Sequence, residues 1–145
     1  MKKISLINFA GGILLVLIPT VLFPVCSGLS KHGTPMSCFY TKNMMIYLGS
    51  LVALLGVLPL IIKKKFVLKL SHALAVIISV FCILAVKRII PLGNMSELGW
   101  QVSMCRMKDM ACNTGTWPAL SVALIALSII NSLILVYLIY SKKEN

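Results

Sequence analysis

The sequence predicts an all-α, polytopic membrane protein of four transmembrane helices, and two observations carry that prediction. Of the 145 residues, 59% are hydrophobic, against roughly 45–50% for soluble domains, and 12% are charged instead of roughly 25%. Four apolar stretches, residues 4–23, 44–62, 66–86 and 118–140, approach the ~20 residues that a helix rising ~1.5 Å per residue needs to cross ~30 Å of hydrocarbon. Each is read as helical, because backbone groups in lipid have no water to bond and must satisfy one another locally. One domain, 1–145, holds all four.

The first span follows Lys2-Lys3 in the manner of a secretory signal. Its apolar core exceeds the roughly 7–15 residues of a signal, and Pro24-Val25-Cys26 lacks the small residues of a cleavage site, so it is expected to stay in place. Between the spans lie two outer loops, 24–43 and 87–117, and an inner loop, 63–65. Pro118 suits the first turn of the fourth span, where a missing N–H costs nothing. Tyr40, Trp117, Tyr137 and Tyr140 fall near span ends, where amphipathic rings meet the headgroups.

Charge sets the orientation. The formal net charge is +11, and the cations sit in short groups beside apolar runs, where they meet lipid headgroups. No interleaving of aromatics and cations suggests a nucleic-acid groove, so no nucleic acid is expected. The termini and inner loop hold Lys2, Lys3, Lys63, Lys64, Lys65, Lys69, Lys142 and Lys143; the outer loops hold Lys31, Lys42, Lys87, Arg88, Arg106 and Lys108. Eight against six, with the first group tight against span ends, places both termini in the cytoplasm and the protein in the cell membrane. Lys87 and Arg88 are read as stems that snorkel to the outer headgroups.

A repeat runs through the chain. Met36-Ser37-Cys38 precedes the second span and Met110-Ala111-Cys112 the fourth. Each is followed by a threonine, Thr41 in one half and Thr114 or Thr116 in the other, and each has a cysteine upstream, Cys26 and Cys105. This reads as two tandem hairpins in the same orientation, related by an axis along the membrane normal.

On these residues the sequence resembles the bacterial family of small four-span membrane proteins called domain of unknown function 4418. The resemblance rests on Pro24-Val25-Cys26, Met36-Ser37-Cys38 with Tyr40-Thr41, Leu55-Gly56-Val57-Leu58, Met110-Ala111-Cys112 leading to Pro118-Ala119-Leu120, and Ser128-Ile129-Ile130-Asn131. It implies the topology and the cysteine pattern, and it imports no activity. Genes of such proteins often lie beside those of ABC exporters of the macrolide-efflux or lipoprotein-release kind, which implies an exporter partner. A histidine and a tryptophan commonly follow the first Met-x-Cys of the family; Phe39 and Tyr40 stand here, which weakens any metal or haem role resting on that histidine.

Cys26, Cys38, Cys105 and Cys112 face the side where oxidised thiols persist, so disulfides are expected. Of the three possible connectivities, the repeat favours Cys26–Cys38 with Cys105–Cys112. Neither spacing is the close Cys-x-x-Cys of a redox enzyme. Cys82, inside the third span, reads as an apolar packer. Met104, Met107 and Met110 recur at helical spacing beside two cysteines, with Met36 beside a third, and soft thioethers and thiolates select Cu(I); gap-filling is the plainer use of methionine. His32 and His72 are each single, without a second ligand at metal spacing, and read as solvated or headgroup-level side chains. Glu97, Asp109 and Glu144 are the acidic residues, and none lies in a span, which speaks against a proton- or cation-coupled transporter.

Association in lipid depends on close packing. Gly11, Gly12, Gly49, Ala53, Gly56, Ala119 and Ala123 are the expected points of approach, and Asn8, Ser79, Ser121, Ser128, Asn131 and Ser132 can bond across helices. With no nucleophile–base pair, phosphate loop or catalytic carboxylate pair, no enzyme and no cofactor are expected. The leading expectation is an accessory subunit of an ABC-type exporter complex, with lipid and a permease, or a second copy of itself, as partners. A binding module for Cu(I) or a hydrophobic cofactor stands second, and an extracytoplasmic thiol–disulfide protein third.

Overall fold

The computed structural model describes residues 2–25, 36–62, 64–87 and 112–140, with backbone alone for residues 2 and 3. Helix α1 (Lys2–Leu17) runs on into a π-helical turn, Ile18–Leu22; α2 is Ser37–Ile61 and α3 is Lys65–Val86; a second π-helical turn, Cys112–Thr116, leads into α4, Trp117–Tyr140. Among the described residues four stretches are long and apolar enough to cross a membrane, Ile4–Leu22, Ser37–Ile61, Lys65–Val86 and Cys112–Tyr140. They lie close to the expected spans, and the chain is a polytopic helical membrane protein.

Two boundaries differ from the sequence reading. Helix α2 begins at Ser37, ahead of the expected residue 44, although Lys42 and Asn43 interrupt the apolar run. A helix closes its own backbone bonds and needs hydrophobicity only where it meets lipid or core. Cys38, Thr41 and Met45 are buried at i, i+3 and i+7, so one inward face continues through the polar turn. At 25 residues, α2 is about 38 Å long, and its N-terminal end reaches beyond ~30 Å of hydrocarbon or tilts within it. The fourth span is likewise extended, by the π turn from Cys112.

The helices form a ring of antiparallel neighbours. Helix α1 packs most extensively on α2 and α3 on α4, with α2 against α3 and α1 against α4 completing the ring. A Cβ built on Gly56 would meet Phe9, and one built on Gly12 would meet Ala53 and Gly49; as numbers rise in α1 they fall in α2. The core is apolar, with Leu15, Met45, Val52, Ala75, Cys82 and Leu124 at 0–1% exposure.

Close approach concentrates in the α1–α2 hairpin. A Cβ on Gly12 would lie 2.6 Å from the Gly49 carbonyl oxygen and 2.8 Å from Ala53 Cα, and one on Gly56 would lie 2.9 Å from Phe9 Cα. These are backbone atoms, which cannot rotate aside. The absence of a side chain at these two positions is what lets the backbones touch. Gly11 faces the side chain of Leu127 on α4 instead.

The outer surface is apolar all round. Val21, Leu54, Ile77, Val122 and Leu133 are each more than 60% exposed, on all four sides of the ring. Water would not tolerate that surface on a monomer, whereas lipid has no preference against it.

Candidate functional site

Polar side chains converge at two levels of the bundle. The first is built around a histidine where three helices meet. Ser5 and Asn8 come from α1, His72 from α3 and Asn131 from α4; exposures are 1%, 0%, 0% and 0%. His72 lies seven residues into α3, about 10 Å from its start, which sets the cluster inside the membrane-spanning part.

Asn131 Nδ2 donates to the Leu127 carbonyl at 2.8 Å, a bond to the preceding turn that fixes the amide. Its Oδ1 lies 2.5 Å from His72 Nδ1. Asn8 Nδ2 lies 3.3 Å from the same ring nitrogen, so α1, α3 and α4 meet at one imidazole. Ser5 Oγ donates to the Gly56 carbonyl, which brings in α2. Ser71 donates to Leu68 O at 3.1 Å and Ser79 to Ala75 O at 2.8 Å, both within α3. Asn8 Oδ1 and His72 Nε2 are buried with no hydrogen-bond partner among the described residues.

This corrects the reading of His72 as a solvated or headgroup-level side chain. A signal for burial is present in the sequence: Leu68, Ser71, His72, Ala75, Ser79, Cys82 and Val86 recur on one helical face, and all but the first and last are small or polar. In lipid a stripe of small residues marks the side that other helices approach, and His72 sits in its middle.

The second level, at the opposite end of the bundle, is a cavity of about 30 Å³ lined by Val25, Cys38, Thr41, Val86, Cys112, Thr116, Trp117 and Leu120. That volume is room for a water molecule or two. Cys38 and Cys112, the cysteines of the two Met-x-Cys motifs, are 3% and 6% exposed and line this one cavity. Thr41 and Thr116 join them, and Thr114 is exposed, so Thr116 is the threonine that turns inward. Thr41 follows its cysteine by three residues and Thr116 by four. The π-helical turn Cys112–Thr116 widens the helix by the one additional residue, which brings both members of the longer pair to the same side. Thr116 Oγ1 donates to the Phe23 carbonyl at 2.8 Å, tying the entrance of α4 to the end of α1. There Pro19 lies within the first π turn and Thr20 Oγ1 donates to Val16 O at 2.7 Å.

The other expected site residues are divided. Cys26, Cys105, Met104, Met107 and Met110, with His32 and Arg88, lie outside the described residues, so neither disulfide pairing nor the thioether cluster is addressed by the geometry. No disulfide joins any two of the described cysteines Cys38, Cys82 and Cys112. Met36 is half-buried just before α2. Among the described residues no group of three or more His, Cys, Asp or Glu gathers as a metal would require. Ala119 and Ala123 pack against the apolar core, Ser128 is half-buried, and Lys87 is exposed at the end of α3.

An antiparallel ring of four apolar helices, packed around an Asn–His–Asn cluster and carrying a small cysteine-lined cavity at the far end, defines a small polytopic membrane protein with a polar node inside its bundle. A search of curated proteins and of solved structures finds no match. The family model described as Domain of unknown function (DUF4418) matches residues 8–138, and the chain belongs to that family. Asn8, Cys38, His72, Cys112 and Asn131 all fall within the matched residues.

Proposed function

We propose that the protein is a non-catalytic membrane subunit that works by packing against a larger membrane protein, an ABC-type permease being the partner its family resemblance implies. The observation that supports this is the outward surface, where Val21, Leu54, Ile77, Val122 and Leu133 are each more than 60% exposed, a face suited to lipid or another membrane protein. The inner polar side chains are engaged with other helices of the same bundle, while the outward surface is apolar and can exchange lipid for another protein without exposing polar groups. In this reading the protein sits in the cell membrane with its termini and the Lys64–Lys65 turn in the cytoplasm. Purification in mild detergent tests it: a permease recovered with the chain in constant ratio is the expected result. Repeated recovery of the chain alone, or as a homo-oligomer, overturns the exporter partnership.

A second reading, a binding module for Cu(I) or a hydrophobic cofactor, draws support from Cys38 and Cys112 lining a single cavity, since thiolates favour soft metals. Copper retained by the isolated protein and lost on replacing Met104, Met107 and Met110 would favour it. Outer cysteines that cycle between free and oxidised states under mild reduction would favour a thiol–disulfide protein instead.

A further inference from the structure

The hydrogen positions around His72 follow from the heavy atoms. Asn131 has its amide nitrogen on the Leu127 carbonyl, so the atom facing His72 Nδ1 at 2.5 Å is an oxygen and an acceptor. Nδ1 therefore carries the proton, because a bare Nδ1 would set two lone pairs against each other at that distance. In the neutral ring Nε2 is then a lone pair without a hydrogen. It has no partner among the described residues, and neither has Asn8 Oδ1. Rotating the Asn8 amide by half a turn would let its oxygen share the Nδ1 proton, but Nε2 stays bare in either setting. Asn8 and His72 are both at 0% exposure, so neither faces bulk water or a headgroup directly.

Charge nearby is sparse. On α3, Lys65 is exposed and Lys69 half-buried. The described side chains of α1 and α4 carry no charge, and the one cation of α2 is Lys42, towards its N-terminal end. In either setting Nε2 is an acceptor without a hydrogen, and the Asn8 amide atom turned away from Nδ1 is left without a partner among the described residues. His72 and Asn131 belong to the α3–α4 hairpin and Asn8 to the α1–α2 hairpin, so the deficit lies where the two meet.

We propose that this cluster is a binding site for one hydrogen-donating species, water or a proton drawn from it, held between the two hairpins. A water molecule gives one hydrogen to Nε2 and meets the free atom of the Asn8 amide, giving its other hydrogen to Oδ1 or accepting one from Nδ2, and so bonds both hairpins at once. A proton, released by hydronium that leaves as water, bonds to the Nε2 lone pair and completes an imidazolium. The Nδ1–H of that ring stays on Asn131 Oδ1, and the new N–H meets Asn8 Oδ1 when the amide keeps that oxygen turned away from Nδ1. Both forms supply the hydrogen that Nε2 lacks.

The test uses full-length His32→Gln protein, in which His72 is the single histidine, with ¹⁵N in the ring, reconstituted in phosphatidylcholine–phosphatidylglycerol bilayers. Solid-state NMR is recorded at about pH 8 and about pH 5, on either side of the usual histidine range. The expected result at the higher pH is a proton on Nδ1, with Nε2 unprotonated but hydrogen-bonded and receiving magnetisation from water. Protonation of Nε2 at the lower pH is the proton arm, and it supports the site with or without the water transfer. A neutral ring with its proton on Nε2 overturns the assignment. So does an Nε2 that resonates as an unbonded imine nitrogen at both pH values with no transfer from water. In Asn8→Leu the water transfer to Nε2, or the protonation at the lower pH, should fall several-fold; an unchanged signal overturns the bridge between hairpins. Should that variant not fold, the single-histidine protein still decides the occupant.

Discussion

His72 and Asn131 are 59 residues apart in the chain, and their Nδ1 and Oδ1 atoms stand 2.5 Å apart in the interior of the bundle. The contact welds α3 to α4 below the apolar core, and the Leu127 carbonyl holds its geometry from behind. Replacing Asn131 by Leu removes the acceptor and leaves the imidazole N–H without one. A hydrogen bond between membrane helices contributes about 0.6 kcal/mol on average and up to about 1.7, and stranding the buried partner adds to the loss. Asn131→Leu and His72→Leu are each expected to destabilise by about 1–2 kcal/mol. The double variant should lose less than the sum, because no polar group is then stranded. Reversible unfolding of all four proteins in mixed micelles reads the coupling; strict additivity would mean that the two side chains do not interact.

Glycines at neighbouring positions are expected to differ in what they tolerate. In Gly12→Ala the new methyl meets the backbone of Gly49 and Ala53, and in Gly56→Ala it meets that of Phe9. Relief requires moving a whole helix, and overpacking of this kind costs about 1–3 kcal/mol. In Gly11→Ala the methyl meets the end of the Leu127 side chain, which can change rotamer, and the better helix propensity of alanine offsets part of the cost by up to about 1 kcal/mol. Thermal unfolding in one detergent should rank Gly12→Ala and Gly56→Ala well below wild type and Gly11→Ala close to it. Equal losses at Gly11 and Gly12 would contradict the packing of α1 between α2 and α4.

The order of legibility in the sequence follows physical range. Spans are legible because lipid demands an apolar run of fixed length, and the close approach of Gly12 to Gly49 and Ala53 is foreshadowed by small residues within those runs. The N-terminal end of α2 is not, since the turns around Lys42 are held by backbone bonds and by the inward face of Cys38 and Thr41, not by an apolar run. Asn8 and Asn131 stand out as polar residues in apolar stretches, yet nothing in their spacing says that both meet His72. That a lone histidine is buried depends on which face of α3 turns inward, and the stripe from Ser71 to Cys82 is its faint sign. The extra residue between Cys112 and Thr116, compared with Cys38 and Thr41, can be counted in the sequence. Its absorption by a π turn, and the meeting of both cysteines at one cavity, depend on tertiary packing.

Thr116 gives the π turn a testable role. Its hydroxyl donates to the Phe23 carbonyl while the residue itself is 5% exposed, so Thr116→Val keeps the volume and removes the donor. The expected loss is about 0.5–1.5 kcal/mol. Thr116→Ser keeps the hydroxyl and should recover most of it. Unfolding measurements that find valine and serine equally good would show that the bond contributes nothing to joining α1 to α4.

Orientation can be read without purifying the protein. The α2–α3 turn and the chain termini carry Lys64, Lys65 and their neighbours, and cationic segments close to a span resist translocation. With the ring antiparallel, fixing one turn fixes all four helices. Alkaline phosphatase, which folds only where disulfides form, is expected to be inactive when fused after Lys64 and active when fused after Lys87; a cytoplasmic reporter should give the reverse. Activity after Lys64 would invert the bundle. The cavity lined by Cys38 and Cys112 would then face the reducing cytoplasm, where disulfides seldom persist and a thiolate could still serve a soft metal.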